Sequence, residues 1–408
     1  MTAHPARLMA TASGLTTMGA LTPFLLGAQA VAVRGELGLG LGAFGVAISL
    51  FFATAALATV LLADAFGGLS RRTTLATAGL LVAAGALATA GLARGWPSLL
   101  VAVVLLGLGN AACQANANLL MSRALPPDRR GLGFGVKQSA VPLAIMLGGL
   151  AVPTVGAAWG WRTTFVILGG CGLLVAGDAL LRGGRLTALT RDAGRRAEGV
   201  DRPPGTALLL AGLGITFASA AANFLGSFVA SWGFEVGLTP TQTGLLMAAG
   251  SGGSILVRVF SGWRADHRHG ANLPVVAAQM LAGALGCLGL MVAAPWSVVA
   301  FGLLALSIGW AWPGLLLFAV ARVGRDAPAR ASGVVQSGAF AGGALGPLVL
   351  GGLSGAVGFP VTWAVAAGCF VVAALLIMLS RALFLRDLGR RPPREPLRYA
   401  RSRRTGTA

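Results

Sequence analysis

Long apolar runs alternate with short polar segments along the whole chain, and most of the polar segments carry arginine. A helix needs about 20 mostly apolar residues to cross a bilayer. This pattern predicts an all-α membrane protein with twelve transmembrane helices, at 15–33, 45–63, 74–92, 98–120, 132–155, 163–181, 206–232, 243–262, 273–293, 297–320, 332–353 and 361–379.

One five-residue stretch recurs about half a chain away. Gly135-Val136-Lys137-Gln138-Ser139 returns as Gly333-Val334-Val335-Gln336-Ser337, 198 positions later. Asp64 and Asp266, at the ends of the second and eighth predicted helices, are 202 positions apart. Each unit holds six helices, an even number, so both units have the same orientation. The sequence therefore predicts two parallel six-helix pseudo-repeats related by an axis along the membrane normal.

The longest polar interval, 182–205, carries six arginines and separates the two repeats. We interpret it as a cytoplasmic linker between an N-terminal bundle (1–181) and a C-terminal bundle (206–380). Residues 381–408 carry nine arginines and form a basic cytoplasmic tail in this interpretation.

Composition supports a membrane protein. The chain is 56% hydrophobic and 11% charged, whereas soluble domains carry about 25% charged residues. The four cysteines all lie in apolar runs without a C-x-x-C pair. This favours a role as small buried packing residues over a role in disulfides or in a metal site. We expect no cofactor.

The net charge of +19 would suit a nucleic-acid partner, but the position of the charges argues otherwise. With the N-terminus in the cytoplasm, 26 of the 31 basic residues fall in cytoplasmic segments and three fall in outer loops. This asymmetry is a strong positive-inside signal. It predicts a multi-pass plasma-membrane protein with both termini cytoplasmic, a lipid partner and no nucleic-acid partner. The first apolar run lacks a small-residue cleavage site, which favours an uncleaved first membrane helix.

The loop after the second predicted helix carries a recognisable motif. Asp64, Gly67 and Arg71-Arg72 match the G-x-x-x-D-R-x-G-R-R pattern of the major facilitator superfamily. The second copy is closer, with Arg258 and Gly262 preceding Asp266. The whole chain thus resembles that family of transporters. The loop departs from the family's pattern at Val60 and Ala65, and its basic pair lies further along than usual.

This resemblance implies a monomeric secondary transporter that moves a small solute by alternating access. It also implies a latch at the inner gate, in which Asp64 caps the following helix and pairs with nearby arginines. The alternative is that these charges only fix the topology. The predicted gate residues are Asp64, Arg71, Arg72, Arg258 and Asp266.

In the family, helices 1, 4, 7 and 10 line the substrate cavity between the halves. Asn110, Gln114 and Asn118 recur every four residues and so share one face of the fourth helix, with Asn116 off that face. Because carboxamides facing lipid are costly, this face is expected to meet substrate or to hydrogen-bond neighbouring helices. Further candidate substrate-binding residues are Gln29, Gln138, Asn223 and Trp310.

Lys137, the only lysine in the chain, is the sharpest candidate because an ionisable group inside a membrane segment is a functional hypothesis by default. The alternative is that its side chain snorkels to the cytoplasmic surface. Lys137 and Arg258 are the only basic residues within predicted spans, and no carboxylate lies in the middle of a span. This balance favours an organic anion as substrate, with a multidrug or metabolite exporter of the same fold as the alternative.

Two other classes fit the sequence less well. It contains no HExxH, GxSxG or clustered histidines that would indicate a membrane enzyme. A non-transporting receptor would need a signalling domain, and no soluble domain is evident in the chain.

Small residues predict where helices pack closely. Gly338, Gly342 and Gly346 form one face of the eleventh helix, and Ala140, Ala144 and Gly148 are their repeat equivalents.

Overall fold

The computed structural model describes residues 5–61, 70–124, 135–182, 201–267, 271–325 and 328–392. Within these ranges every regular element is a helix, as predicted. The membrane helices are α1 (Pro5–Ala28), α2 (Leu41–Leu61), α3 (Arg71–Gly91), α4 (Trp96–Ala124), α5 (Gly135–Trp159), α6 (Trp161–Arg182), α7 (Gly205–Glu235), α8 (Pro240–His267), α9 (Asn272–Leu290), α10 (Pro295–Val323), α11 (Pro328–Val357) and α12 (Phe359–Arg390).

The twelve-helix count needs one refinement. In the described residues, eleven straight or gently broken helices are long and apolar enough to cross a membrane. The twelfth span is a bent pair, in which α1 continues after a 71° turn as the short helix Ala30–Leu37. The bend lies at Gln29, inside the first predicted span. Gly38, with φ +65°, ends the short helix in a conformation that favours glycine.

We call the end of the bundle where α1 begins and α12 ends the proximal face, and the opposite end the distal face. The two halves approach each other closely through glycines of α1, α2 and α5. A Cβ added to Gly27, Gly45 or Gly149 would lie within 3 Å of backbone atoms of α7, α11 or α8, respectively. These three contacts join the halves through backbone alone, so even one added methyl group would separate them.

The small-residue faces predicted from sequence do mediate close packing. Gly338, Gly342 and Gly346 lie directly on the carbonyls of Gly212, Thr216 and Ala220 in α7. In the first repeat, Gly148 packs on the carbonyl of Phe24, and Thr17 donates to the carbonyl of Ala140 at 3.2 Å. The α1–α5 pair and the α7–α11 pair are therefore equivalent contacts in the two repeats.

An ion network that sequence reasoning missed ties together three segments at the proximal face. Arg325 lies in the turn after α10 with φ +51° and donates from Nη1 to Asp201 before α7. Its Nη2 and Nε donate to Asp387 on α12, at 2.6 and 3.0 Å. Arg391 closes the network through both carboxylates. The Arg325 side chain is only 3% exposed because these partners cover it, whereas the Arg391 side chain is 53% exposed. α12 thus stays helical to Arg390, ten residues into the predicted tail.

The packing of α11 on α7 makes a stability prediction. Gly342→Leu should lower the free energy of unfolding by about 1–3 kcal/mol, because the added side chain meets the Thr216 carbonyl and forces the helices apart. Gly333→Leu is the matched control, since a Cβ there meets nothing within 4 Å. Thermal unfolding of the detergent-purified variants measures the difference. Equal melting temperatures for the two variants would contradict the predicted contact.

Candidate functional site

Arg258 joins the two halves in the interior of the bundle. It lies on α8 and is only 2% exposed. Its Nη1 donates to the backbone carbonyl of Gln138 on α5, and its Nη2 donates to the backbone carbonyl of Trp310 on α10. One guanidinium therefore connects a helix of the N-terminal half with two helices of the C-terminal half.

Both carbonyls are available because the helices that carry them are interrupted. In α5, residue 142 is proline, which has no N–H to donate to the carbonyl of Gln138 four residues earlier. In α10, a wide π-type turn at Ala305–Gly309 is followed by Trp310 and Ala311, and the helix resumes at Trp312. Breaks of this kind at membrane depth need a donor from elsewhere in the protein, and Arg258 supplies one to each.

The charge of Arg258 has no acidic partner among the described residues. A guanidinium carries five N–H donors, and the two carbonyls account for one donor each on Nη1 and Nη2. Its Nε is buried and has no hydrogen-bond partner. The carbonyls are neutral, so they orient the cation without cancelling its charge. The Arg258 guanidinium at the junction of the halves therefore keeps its positive charge and has unused N–H donors.

Trp310 packs against both halves at the junction that Arg258 joins. Its ring lies 5.8 Å from that of Phe24 in an edge-to-face arrangement, which joins α10 to α1. It also lies over Gly226 of α7, where a Cβ would collide with it. Trp310 is 4% exposed, so here the indole packs between helices. Stacking on a substrate stays a prediction.

Lys137 reaches from α5 to the predicted polar face of α4. Its Nζ donates to Oδ1 of Asn118. Along this face Asn110 is buried, Gln114 is half-buried and Asn118 is exposed, so accessibility increases towards the proximal face. The lysine therefore sits where the polar face of α4 becomes accessible. Whether it contacts substrate stays a prediction.

Asn110 and Asn116 differ in their surroundings. Asn116, off the shared face, is a structural link to α3: its Oδ1 accepts from Thr74 at 3.0 Å, and its Nδ2 donates to the Thr74 carbonyl. Asn110 packs beside Gly19 of α1, and its Oδ1 is buried without a partner. Only Asn110 of these two retains unused hydrogen-bonding capacity.

Three other predicted residues make local or structural contacts. Gln29 donates to Thr164 on α6 at 2.9 Å, within the N-terminal half and next to the bend of α1. Asn223 is buried on α7 and donates to the carbonyl of Ser219 in its own helix. The Gln138 side chain is half-buried, and the contact that involves this residue is made by its backbone carbonyl.

The predicted latch is described only in part. Asp64 lies outside the described residues. Arg71 is half-buried and Arg72 is exposed at the start of α3. Ser70 caps this helix by accepting from the Thr73 N–H at 3.1 Å.

In the second copy of the motif, Asp266 is buried near the end of α8, and Arg322 of α10 donates to the neighbouring Ala265 carbonyl. The latch stays a prediction.

Two buried serines on α8, Ser251 and Ser254, are additional candidates that sequence reasoning missed. Both hydroxyls lack a partner, and the residues precede Arg258 by seven and four positions. Spacing of i, i+3, i+7 places all three on one helix face, which is the signal that would have identified them.

The fold and the charged junction between the halves define a polytopic membrane transporter. The family model of the Major Facilitator Superfamily matches residues 7–209 and again residues 208–406. The chain belongs to this superfamily, as its loop motifs indicated.

Solved structures and one curated relative agree with this placement. A bacterial homologue of the human lysosomal transporter Spinster, inward-facing and occupied, is similar with a TM-score of 0.71 and 17% identity, covering 95% of this chain and 99% of its own. The nucleoside transporter NupG is similar with a TM-score of 0.69 and 12% identity, covering 91% and 99%. A hexuronate transporter of Bacillus subtilis (strain 168) is 33% identical over 85 residues, 21% of this chain and 20% of that protein.

The Arg258 bridge makes a second stability prediction. Arg258→Met keeps similar volume but leaves the carbonyls of Gln138 and Trp310 without a donor, at a cost of about 1–3 kcal/mol for each group. The variant should unfold at a clearly lower temperature than the parent protein in detergent. Arg264→Met, an exposed position on the same helix, is the control and should change little. If Arg258→Met were as stable as the control, the bridge would not stabilise the fold.

Proposed function

We propose that this transporter moves a small organic anion across the membrane, with its carboxylate held by Arg258. The observation that carries the proposal is the buried guanidinium between the halves, with neutral partners and an unpartnered Nε. A carboxylate is the natural complement, because it accepts charge-assisted hydrogen bonds from two N–H groups of one guanidinium.

Two further observations support an anion. Lys137, on α5, is a second cation. It lies one residue before Gln138, whose backbone carbonyl accepts a hydrogen bond from Arg258. The relative from Bacillus subtilis transports hexuronate, which is a sugar carrying one carboxylate. That alignment spans a fifth of either protein and supports the chemical class of the substrate.

The position of Arg258 also links binding to movement of the halves. Its two hydrogen bonds run to α5 and α10, on opposite sides of the interface between the repeats. A carboxylate bound to the same guanidinium competes for these donors or reorients them. Substrate binding would thereby change the strength of one inter-half contact, which is a requirement for coupling a ligand to alternating access.

Substrate binding tests the proposal directly. Purified protein should be stabilised against heat by organic anions such as glucuronate, and neither by the neutral hexose glucose nor by a lipophilic cation such as tetraphenylphosphonium. Stabilisation by the cation alone would favour the multidrug exporter and overturn the anion proposal.

The role of Lys137 is tested by separating charge from shape. In proteoliposomes, Lys137→Gln should raise the half-saturating anion concentration roughly tenfold, because one charge-assisted contact is lost. Lys137→Arg should retain most of the transport, since arginine keeps the charge. Arg264→Gln, at an exposed position, controls for a general loss of positive charge. Normal transport by Lys137→Gln would show that the lysine only snorkels.

A further inference from the structure

Ser251, Ser254 and Arg258 form a buried polar stripe on α8. The three residues are 1%, 1% and 2% exposed. The Oγ atoms of both serines and the Nε of Arg258 have no hydrogen-bond partner. A buried polar group without a partner is costly, so three on one helix face call for an explanation.

Serine hydroxyls buried in the described helices fall into two groups, those with a hydrogen-bond partner and those without. A serine within a helix commonly bonds the carbonyl three or four residues earlier. Ser139, Ser307 and Ser354 do so, each donating to its own helix. Other buried serines also lack partners, at positions 13, 49, 227 and 231. The pair on α8 is distinguished by sharing its face with a buried cation.

Helix geometry shows where the stripe points. At about 100° per residue, Ser251, Ser254 and Arg258 fall within an arc of about 60°. On one side of this arc Gly244 packs on α5, and on the other side Gly250 and Gly253 pack on α10. The opposite side of α8 carries exposed apolar side chains, Leu256, Phe260 and Trp263. The stripe therefore faces inward, towards α5 and α10, where the two halves meet.

The stripe also has the right direction and length for one elongated ligand. Side chains on a helix lean towards its N-terminus, so the Arg258 side chain leans towards the level of Ser254. The three Cα atoms span about 10 Å along the axis at 1.5 Å per residue. Because the arginine side chain leans towards the serines, its guanidinium lies closer to their hydroxyls than this Cα distance, within the reach of a carbon chain of about six atoms.

We propose that Ser251 and Ser254 form a hydroxyl-recognising subsite, and that the transported anion is a polyhydroxylated carboxylate such as a sugar acid. This inference rests on the anion proposal above and extends it along α8. Arg258 holds the carboxylate, and the two serine hydroxyls donate to and accept from hydroxyl groups further along the ligand. A site built to hydrogen-bond a substrate hydroxyl rejects the analogue that lacks it, because its own buried groups then stay unpaired.

Three six-carbon compounds separate the two proposals. Gluconate carries a carboxylate and hydroxyls, hexanoate carries the carboxylate alone, and glucitol carries the hydroxyls alone. Binding to the purified full-length protein is measured by isothermal calorimetry or by thermal stabilisation. The parent protein should bind gluconate at least tenfold more tightly than hexanoate, and glucitol weakly or not at all.

The double variant Ser251→Ala/Ser254→Ala should lose this preference. Its affinity for gluconate should fall about tenfold or more, while its affinity for hexanoate stays unchanged because Arg258 is intact. Ser354→Ala is the matched control, because that buried serine already bonds the Leu350 carbonyl of its own helix. Removal of the two hydroxyls should not unfold the protein, since neither has a partner to lose.

Each remaining outcome overturns a specific proposal. Equal affinity of the parent protein for gluconate and hexanoate overturns the hydroxyl subsite and leaves the anion proposal standing. Tight gluconate binding that the double variant retains removes Ser251 and Ser254 from the site. Binding of glucitol but of neither anion, or of none of the three compounds, overturns the anion proposal and the subsite with it.

Discussion

The structure depends on the satisfaction of backbone carbonyls where membrane helices break. In a bilayer, water cannot replace a missing intrahelical donor, so each break needs a partner from the protein. Pro142 frees the carbonyl of Gln138, and the interruption of α10 exposes that of Trp310. Arg258 donates to both. The guanidinium that bonds the free carbonyls of two helices thereby joins the two halves. The same side chain is the main candidate for substrate binding.

The two repeats also differ in charge at this junction. Lys137 corresponds to Val335 in the second repeat, and Val335 is fully buried. The repeats keep their packing in common, since α1–α5 and α7–α11 meet through equivalent small-residue faces. The scaffold is therefore pseudo-symmetric, whereas the charge buried in it is asymmetric.

Sequence patterns predict some residues of the candidate site and miss others. The identity of the charged residues was evident, because Lys137 and Arg258 stand out in apolar runs. The contacts of the other candidates were not evident: the amide of Gln29 bonds Thr164 within one half, and Trp310 packs on Phe24. Ser251 and Ser254 were overlooked, because a serine in a membrane helix carries no signal until its neighbours are known. Partners that lie more than a hundred residues apart are set by packing, which local periodicity does not encode.

The sequence by itself determined the number of helices, their two-fold arrangement and the small-residue faces through which they pack. These features follow from local rules, because a span must be long and apolar and a close contact must have room for backbone. The tertiary structure alone decided that α1 bends at Gln29, that the ion network at Arg325 ties α12 to the segment before α7, and that Arg258 reaches two broken helices at once. Each depends on where distant groups meet in space, and only the packed bundle fixes those positions.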